Sequence, residues 1–317
     1  MRGLDRIVKR HMEKYQIGSG TLALYTPFHK YQRKYGYAPT PQILMRVADL
    51  SKSVTRTVIR AIRLSDCLDE TLYSFYQRAE QPLPEPRDER AKRITLRHLL
   101  NHTSGFDDSH FGCDPVINPK GEFKECQTID QLLNYVLIHT TLASEPGTRY
   151  SDSNFGYCVL ARMVELETKY SYLSWVRFVL RTHHVYLGSL EERHPGEIKT
   201  YDIVYPDEAY PLDRLTGAGN LVTDADTMAS YAYRYFISGE DTGRFISQRI
   251  SRKSILWGSL PGTDAYLFSW IWGGQKYSLC ILFNKRVPQQ EIATRFFIEE
   301  IDKFICRTFK LSFCSNS

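Results

Sequence analysis

The spacing of apolar positions predicts a helix at each end of the chain. Apolar residues recur every three to four positions over the first fifteen residues and again over 289–305. The inward-facing sets are Leu4, Ile7, Val8 and Met12 in the first segment and Ile292, Phe296, Ile301 and Phe304 in the last. This period is typical of an amphipathic helix with one face against a core.

Strand-like apolar runs lie next to these terminal helices. Residues 21–25 and 31–37 predict two strands joined by a turn, and 265–272 and 276–283 predict two more. A short turn with two glycines separates the last two runs, which is a hairpin signal. Both ends of the chain therefore contribute strands to the fold.

The middle of the chain reads as mostly helical. Helices are predicted over 51–64, from about 95, and over 128–138, 153–167 and 171–181, whereas 106–127 and 188–216 lack periodicity. We therefore expect an α+β fold in which 1–317 form one domain. An α/β lobe would come from about 1–55 and 216–317, and a mostly helical lobe from about 56–215.

Composition and the distribution of charge argue against some classes of function. Apolar residues make up 42% of the chain, and the formal net charge of +5 is spread along it rather than clustered, which argues against nucleic-acid binding. No run approaches the roughly 18 apolar residues of a membrane span, so no membrane partner is expected. The first fifteen residues lack the apolar core of a secretory signal, and Asp5 and Glu13 disfavour a mitochondrial presequence. A cytoplasmic location is expected.

The seven cysteines show no CxxC spacing, which argues against a disulfide framework and a zinc site. Whether Cys113 and Cys126 pair is left open, with free thiols expected otherwise. His183 and His184 have no carboxylate or cysteine at ligand spacing, and Gly219 does not belong to a phosphate loop. The sequence predicts no metal and no cofactor.

Five segments in order resemble the β-lactamase-related family, which includes class C β-lactamases and penicillin-binding-protein-like serine hydrolases. They are RHLLNHTSG at 97–105, EPGTRY with SNFGY at 145–157, TGAGNLV at 216–222, GSLPGT at 258–263 and ILFNKR at 281–286. The resemblance implies an antiparallel sheet flanked by terminal helices. It also implies a helical second lobe, with an active-site cleft between the two.

The family's nucleophile is missing. The family places a serine and a lysine three residues apart at the start of a helix, so that both lie on one face. Here Asp49 stands at the serine position and Lys52 at the lysine position, and no serine in the chain has a lysine three residues on. We expect Asp49 and Lys52 to form an ion pair.

The other two motifs of the family have changed as well. Asp152 replaces the catalytic tyrosine, while Asn154 is retained. Leu256-Trp257-Gly258 stands where the family has His-x-Gly, so the glycine remains and the polar residue does not. The resemblance assigns Asn154, Leu256 and Gly258 to the substrate-binding wall of the cleft.

Three hypotheses remain open. The first is a catalytically degenerate pseudoenzyme that binds a small molecule, a peptide or a partner protein, with the ligand held in the cleft. The second is an active hydrolase of ester or amide bonds that uses Asp49, Lys52 and Asp152 as an acid–base set or with Asp49 as nucleophile. The third is a structural or partner-binding protein whose cleft is plugged by Leu256 and Trp257. The oligomeric state is left open.

Overall fold

The computed structural model describes residues 1–38, 40, 42–189, 193–200, 212–235, 253–287 and 290–309. The helices in these ranges are α1 Arg2–Tyr15, α2 Leu50–Ala61, α3 Leu72–Arg78, α4 Leu96–Leu100, α5 Asp108–Phe111, α6 Ile129–His139, α7 Asn154–Thr168, α8 Tyr172–Leu180, α9 Ala225–Tyr235 and α10 Gln290–Phe309. The strands are β1 Ser19–Tyr25, β2 Lys30–Gly36, β3 Met45–Arg46, β4 Tyr186–Leu187, β5 Leu221–Thr223, β6 Lys253–Leu260, β7 Thr263–Trp272 and β8 Gln275–Phe283.

The main sheet joins the two ends of the chain. Its five strands run in the order β2-β1-β8-β7-β6, and all neighbouring pairs are antiparallel. The first strand therefore lies beside the last, with Gly20 opposite Phe283. A smaller sheet has the order β3-β5-β4. The predicted α+β class with an antiparallel sheet is confirmed.

Two apolar cores lie on opposite faces of the main sheet. The terminal helices α1 and α10 cover one face, where Leu4 and Val8 pack with Phe297 and Ile301. The other face packs against the helical part of the chain, which includes Val54 of α2 and Leu160 of α7. Because apolar side chains alternate between the two faces of each central strand, both faces can be buried.

The buried stripe of α10 differs from the one predicted. Ile292 and Phe296 are 61% and 62% exposed, whereas Ala293, Phe297 and Ile301 are buried. Apolar residues occupy two adjacent helical rows in this segment, and the period alone does not choose between them. The choice depends on how α10 packs against the sheet, and the expected inward orientation of Ile292 and Phe296 is wrong.

The cysteines are mostly free thiols. Cys113 and Cys126 are both unpaired, as are Cys67, Cys158 and Cys280. Cys306 is disulfide-bonded, with a partner outside the described residues, so the expectation of free thiols does not extend to it. None of the helices in the described ranges combines the length and the hydropathy of a membrane span.

Candidate active-site cleft

Asp49 and Lys52 meet at the first turn of α2. Asp49 is the residue that precedes the helix, and Lys52 follows one turn later on the same face. The Nζ atom of Lys52 donates to Oδ1 of Asp49 at 2.6 Å, which is the expected ion pair. Oδ2 of Asp49 accepts the backbone N–H of Ser259 at 3.1 Å. Both oxygens of this carboxylate therefore have donors from the protein.

Lys52 has a second carboxylate partner. Its Nζ atom lies 3.4 Å from Oδ1 of Asp152, and its side chain is only 4% exposed. Burial disfavours the charged ammonium, but the charges of Asp152 and Asp49 outweigh burial and raise the pKa of Lys52 above its ordinary value. Lys52 is therefore protonated at neutral pH and has no lone pair with which to accept a proton.

His102 lies next to Asp152. The backbone N–H of Ser153 donates to Nδ1 of His102 at 3.0 Å. A ring nitrogen that accepts a hydrogen bond carries no proton, so the proton of the neutral ring is on Nε2. Nε2 lies 3.5 Å from Oδ1 of Asp152, and the ring stacks on Tyr157. The buried ring of His102 thus lies beside Asp152.

Asn154 begins α7, and its side chain turns toward a neighbouring loop. Its Nδ2 atom donates to Oδ2 of Asp114 at 2.7 Å. Oδ1 of Asp114 accepts the backbone N–H groups of Val116 and Ile117, which fixes the loop as an Asx-type turn. The side chain of Asn154 is therefore bonded to Asp114.

Strand β6 forms the opposite wall, where Gly258 lies directly against Asp49. A Cβ atom on Gly258 would stand 2.5 Å from the backbone nitrogen of Asp49, so no other residue fits without a backbone shift. Leu256, on the same face, is 1% exposed and packs in the core that includes α2. Glycine at this position lets the strand approach the start of the helix closely.

Trp257 faces away from the cleft. It packs with the core under α1 and α10, on the other side of the sheet. Successive residues of a strand point to opposite faces, so Leu256 and Trp257 cannot both enter the cleft. The expectation that these two residues plug it together is wrong for Trp257.

A further carboxyl group, which the sequence did not reveal, belongs to the same site. Burial, followed by the charges of Asp114 and Asp152, raises the pKa of Asp108 to about 8, although Lys52 acts in the opposite direction. Its Oδ1 atom is buried without a hydrogen-bond partner in the part of the chain that the structure describes. Asp108 is therefore a mostly neutral carboxylic acid at pH 7.

The signal for Asp108 and Asp114 in the sequence was weak, because both lie in the aperiodic stretch 106–127. Only short local motifs mark them. Asp107 caps α5 through the backbone N–H groups of Ser109 and His110, which places Asp108 in its first turn. Which of these aspartates turns toward Lys52 depends on the tertiary fold.

The cleft as a whole holds more carboxyl groups than cations. Asp49 and Asp152 contact Lys52, Asp114 binds Asn154, and the charges of Asp114 and Asp152 act on Asp108. Even so, the described residues contain no group of histidine, cysteine and carboxylate ligands suited to a metal ion. The chemistry that this arrangement supports is charge pairing, with Lys52 neutralised by two carboxylates.

Comparison with known proteins places this geometry in a family. The Beta-lactamase family model matches residues 4–278, so the chain belongs to the β-lactamase family. The D-amino acid amidase of Ochrobactrum anthropi SV3, solved with L-phenylalanine amide, superposes with a TM-score of 0.70 at 18% identity over 95% of this chain and 98% of that one. At these identities the structural likeness establishes the fold.

Two other solved structures are similar. The β-lactamase/D-alanine carboxypeptidase of Yersinia pestis has a TM-score of 0.67 at 14% identity over 95% of this chain and 98% of that one. The octameric penicillin-binding protein homologue of Pyrococcus abyssi has a TM-score of 0.65 at 16% identity over 89% and 72%. The predicted family membership is confirmed.

Proposed function

We propose that this protein is a catalytically degenerate member of the β-lactamase family whose cleft binds a ligand and does not hydrolyse it. The observation that carries the proposal is the state of Asp49. It occupies the nucleophile position, and its two oxygens are taken up by Lys52 and by the N–H of Ser259. A carboxylate held by two donors is a poor nucleophile, because attack would first break both contacts.

The proton-transfer machinery is also altered. A general base must be able to accept a proton near neutral pH. Lys52 cannot, since two carboxylates keep it charged. The Ser259 N–H points into the cleft, where a backbone donor could bind an oxyanion, but it already donates to Asp49. The carboxylate at the nucleophile position is thus bonded to both the lysine at the base position and this backbone donor in one internal network.

The charge of the cleft favours a ligand with an ammonium group. Asp49 and Asp152 oppose the single charge of Lys52, and Asp114 adds a further carboxylate. The O. anthropi amidase was solved with an amino acid amide, which carries such a group. An amino acid amide or the amino terminus of a short peptide therefore fits the proposal best, with the ammonium group beside Asp152.

Hydrolysis and binding assays on one protein preparation test the proposal. Wild type and Asp49→Ala are incubated with chromogenic β-lactams, short-chain esters and amino acid p-nitroanilides, and binding of phenylalanine amide is followed by calorimetry. We expect no turnover from either protein, and binding by wild type that weakens in Asp152→Asn. Turnover by wild type that Asp49→Ala abolishes would refute the degenerate-enzyme assignment. Absence of amide binding would refute the ligand assignment.

A second candidate is an enzyme with altered chemistry, and one observation favours it. Asp49 and Asp152 contact the same Nζ atom, so their nearest oxygens are no farther apart than the sum of those two contacts. This lies within the roughly 10 Å that an acid–base carboxylate pair spans. In this case wild type would hydrolyse a substrate of the panel, and Asp49→Asn and Asp152→Asn would each reduce kcat.

A further inference from the structure

A cavity of about 640 Å³ lies at the end of α8, next to the last turn of α9. It shares no lining residue with the Asp49 cleft. The size is that of a pocket for a small organic molecule, for which about 300–1,000 Å³ is usual. Its walls combine basic side chains, exposed rings and two hydroxyl groups, a mixture that the proposed function does not explain.

The charged groups of this cavity are all basic. Arg177 near the end of α8 and Arg181, the residue that follows the helix, both line the cavity, as does His183. No carboxylate is among the lining residues, and no ion pair of the described residues involves either arginine. Two neighbouring guanidinium groups that have no counter-ion among the described residues repel each other, and a bound anion would reduce this repulsion.

The surroundings add a further cation, and the buried Nε donors of both Arg177 and Arg234 have no hydrogen-bond partner in the described part of the chain. The guanidinium of Arg234 donates to the carbonyl oxygen of Leu180 at 3.0 Å, just behind the cavity. Burial, and after it the nearby charge of Arg181, lowers the pKa of Arg234.

The apolar part of the cavity consists of two aromatic rings. Phe178 is 66% exposed and Tyr235 is 41% exposed, although most large apolar side chains of this fold are buried. Ring faces pack well against a second planar group. The hydroxyl groups of Ser174 and Thr182 line the same cavity and offer additional hydrogen bonds.

We propose that this cavity is a second binding site, one that takes a small organic anion with an aromatic or other planar ring. Its phosphate or carboxylate group would be bound by Arg177 and Arg181, because the guanidinium fork matches the oxygens of either group. Its ring would lie against Phe178 and Tyr235. This site requires no hydrolytic activity and is independent of the Asp49 cleft.

Calorimetric titration of the full chain with phenyl phosphate, inorganic phosphate and benzyl alcohol tests the proposal. We expect phenyl phosphate to bind at millimolar concentration or below, at least ~10-fold more tightly than inorganic phosphate and than benzyl alcohol, which has the ring without the charge. Arg181→Gln should weaken phenyl phosphate binding at least ~10-fold. Arg6→Gln, which removes the same charge from the exposed side of α1, should leave it unchanged.

The variant Phe178→Ser tests the contribution of the aromatic ring separately from that of the arginines. This variant should bind phenyl phosphate no more tightly than inorganic phosphate. Because Phe178 is exposed, the variant's unfolding midpoint should equal that of wild type. The proposal is overturned if phenyl phosphate does not bind, or binds equally to wild type and Arg181→Gln. It is also overturned if the protein binds vesicles that contain an acidic phospholipid but binds none of the small anions, since the site would then be a lipid contact.

Discussion

The Nζ atom of Lys52 lies 2.6 Å from Oδ1 of Asp49, the residue that stands in place of the family's nucleophilic serine. In the proposed function, the lysine at the family's lysine position acts as a structural cation. Asp152, which replaces the tyrosine, contacts the same atom at 3.4 Å. The two substitutions act together, because both new carboxylates stabilise the positive charge of one buried lysine.

The first prediction concerns the stability of this network. Asp49→Asn or Asp152→Asn alone leaves Lys52 one carboxylate, so each should be tolerated. Together they leave a buried, unpaired ammonium and should cost about 3–5 kcal/mol, more than the two single effects combined. Lys52→Met in the double variant should restore most of that loss. Urea unfolding at pH 7 gives the free energy of unfolding of wild type and the four variants. A loss in the double variant equal to the sum of the two single losses would contradict the network.

The second prediction concerns recovery of chemistry. Asp49→Ser alone restores the hydroxyl group, but Asp152 still holds Lys52 charged. Asp49→Ser combined with Asp152→Tyr removes both carboxylates and should lower the pKa of Lys52, since neither carboxylate then opposes the effect of burial. We expect the double variant to react with a fluorophosphonate at least ~10-fold faster than Asp49→Ser. Equal rates would show that Asp152 does not control the lysine.

The third prediction concerns the close contact between strand and helix. Gly258→Ala places a Cβ atom against the backbone of Asp49 and should cost about 1–3 kcal/mol through a forced backbone shift. Gly18→Ala is the matched control, because the nearest atom to a Cβ there is 3.9 Å away. Thermal unfolding of the two variants should differ accordingly. If Gly258→Ala unfolded at the same temperature as wild type, strand β6 would be able to move away from Asp49 without loss of stability.

The fourth prediction is a pH dependence that originates in His11. Burial, with a smaller contribution from Lys14, lowers the pKa of His11 to about 4, and its ring packs against Phe283 and Phe297. In the unfolded chain it titrates near 6.5. Its neutral form therefore supports the fold fully above pH 6.5, and this contribution, of about 3 kcal/mol, is lost as the pH falls to 4.

His11→Leu tests that assignment. The variant should lose less stability than wild type between pH 7 and pH 4, as measured by urea unfolding at each pH. His29→Leu, in the exposed turn after β1, serves as the control and should follow wild type. Parallel pH profiles for wild type and His11→Leu would rule out His11 as the source of the acid sensitivity.

The fifth prediction has the opposite sign and concerns Asp108. Its pKa is about 8 in the folded protein and near 4 in the unfolded chain. The neutral carboxyl therefore contributes its full stability below pH 4, and the contribution is lost as the pH rises through 8. Asp108→Asn cannot ionise and should gain stability relative to wild type between pH 6 and pH 9. Asp66→Asn, on the exposed surface, should show no such gain.

The parts of the site that follow from local spacing could be predicted from the sequence. The helical period places Lys52 one turn from Asp49, and the structure shows the pair on the same face. The two-glycine turn between β7 and β8 is equally local, since Gly273 and Gly274 adopt the positive φ that the turn needs. In both cases neighbouring residues determine the geometry.

The parts that depend on tertiary packing could not be predicted. Asp108 and Asp114 come from a loop without periodicity, and their approach to Asp152 depends on how that loop folds over α7. The inward row of α10 depends likewise on the sheet beneath it. Strand alternation, by contrast, is a local rule and places Trp257 on the face opposite to that of Leu256.

The central claim is that the cleft of this β-lactamase-family protein has lost acyl transfer because Asp49 and Asp152 neutralise Lys52. Intact-protein mass spectrometry after incubation with a fluorophosphonate and with a penicillin tests it most directly. We predict no adduct on wild type and an adduct at residue 49 of the Asp49→Ser, Asp152→Tyr double variant. A stoichiometric adduct on wild type that maps to the cleft would contradict the account.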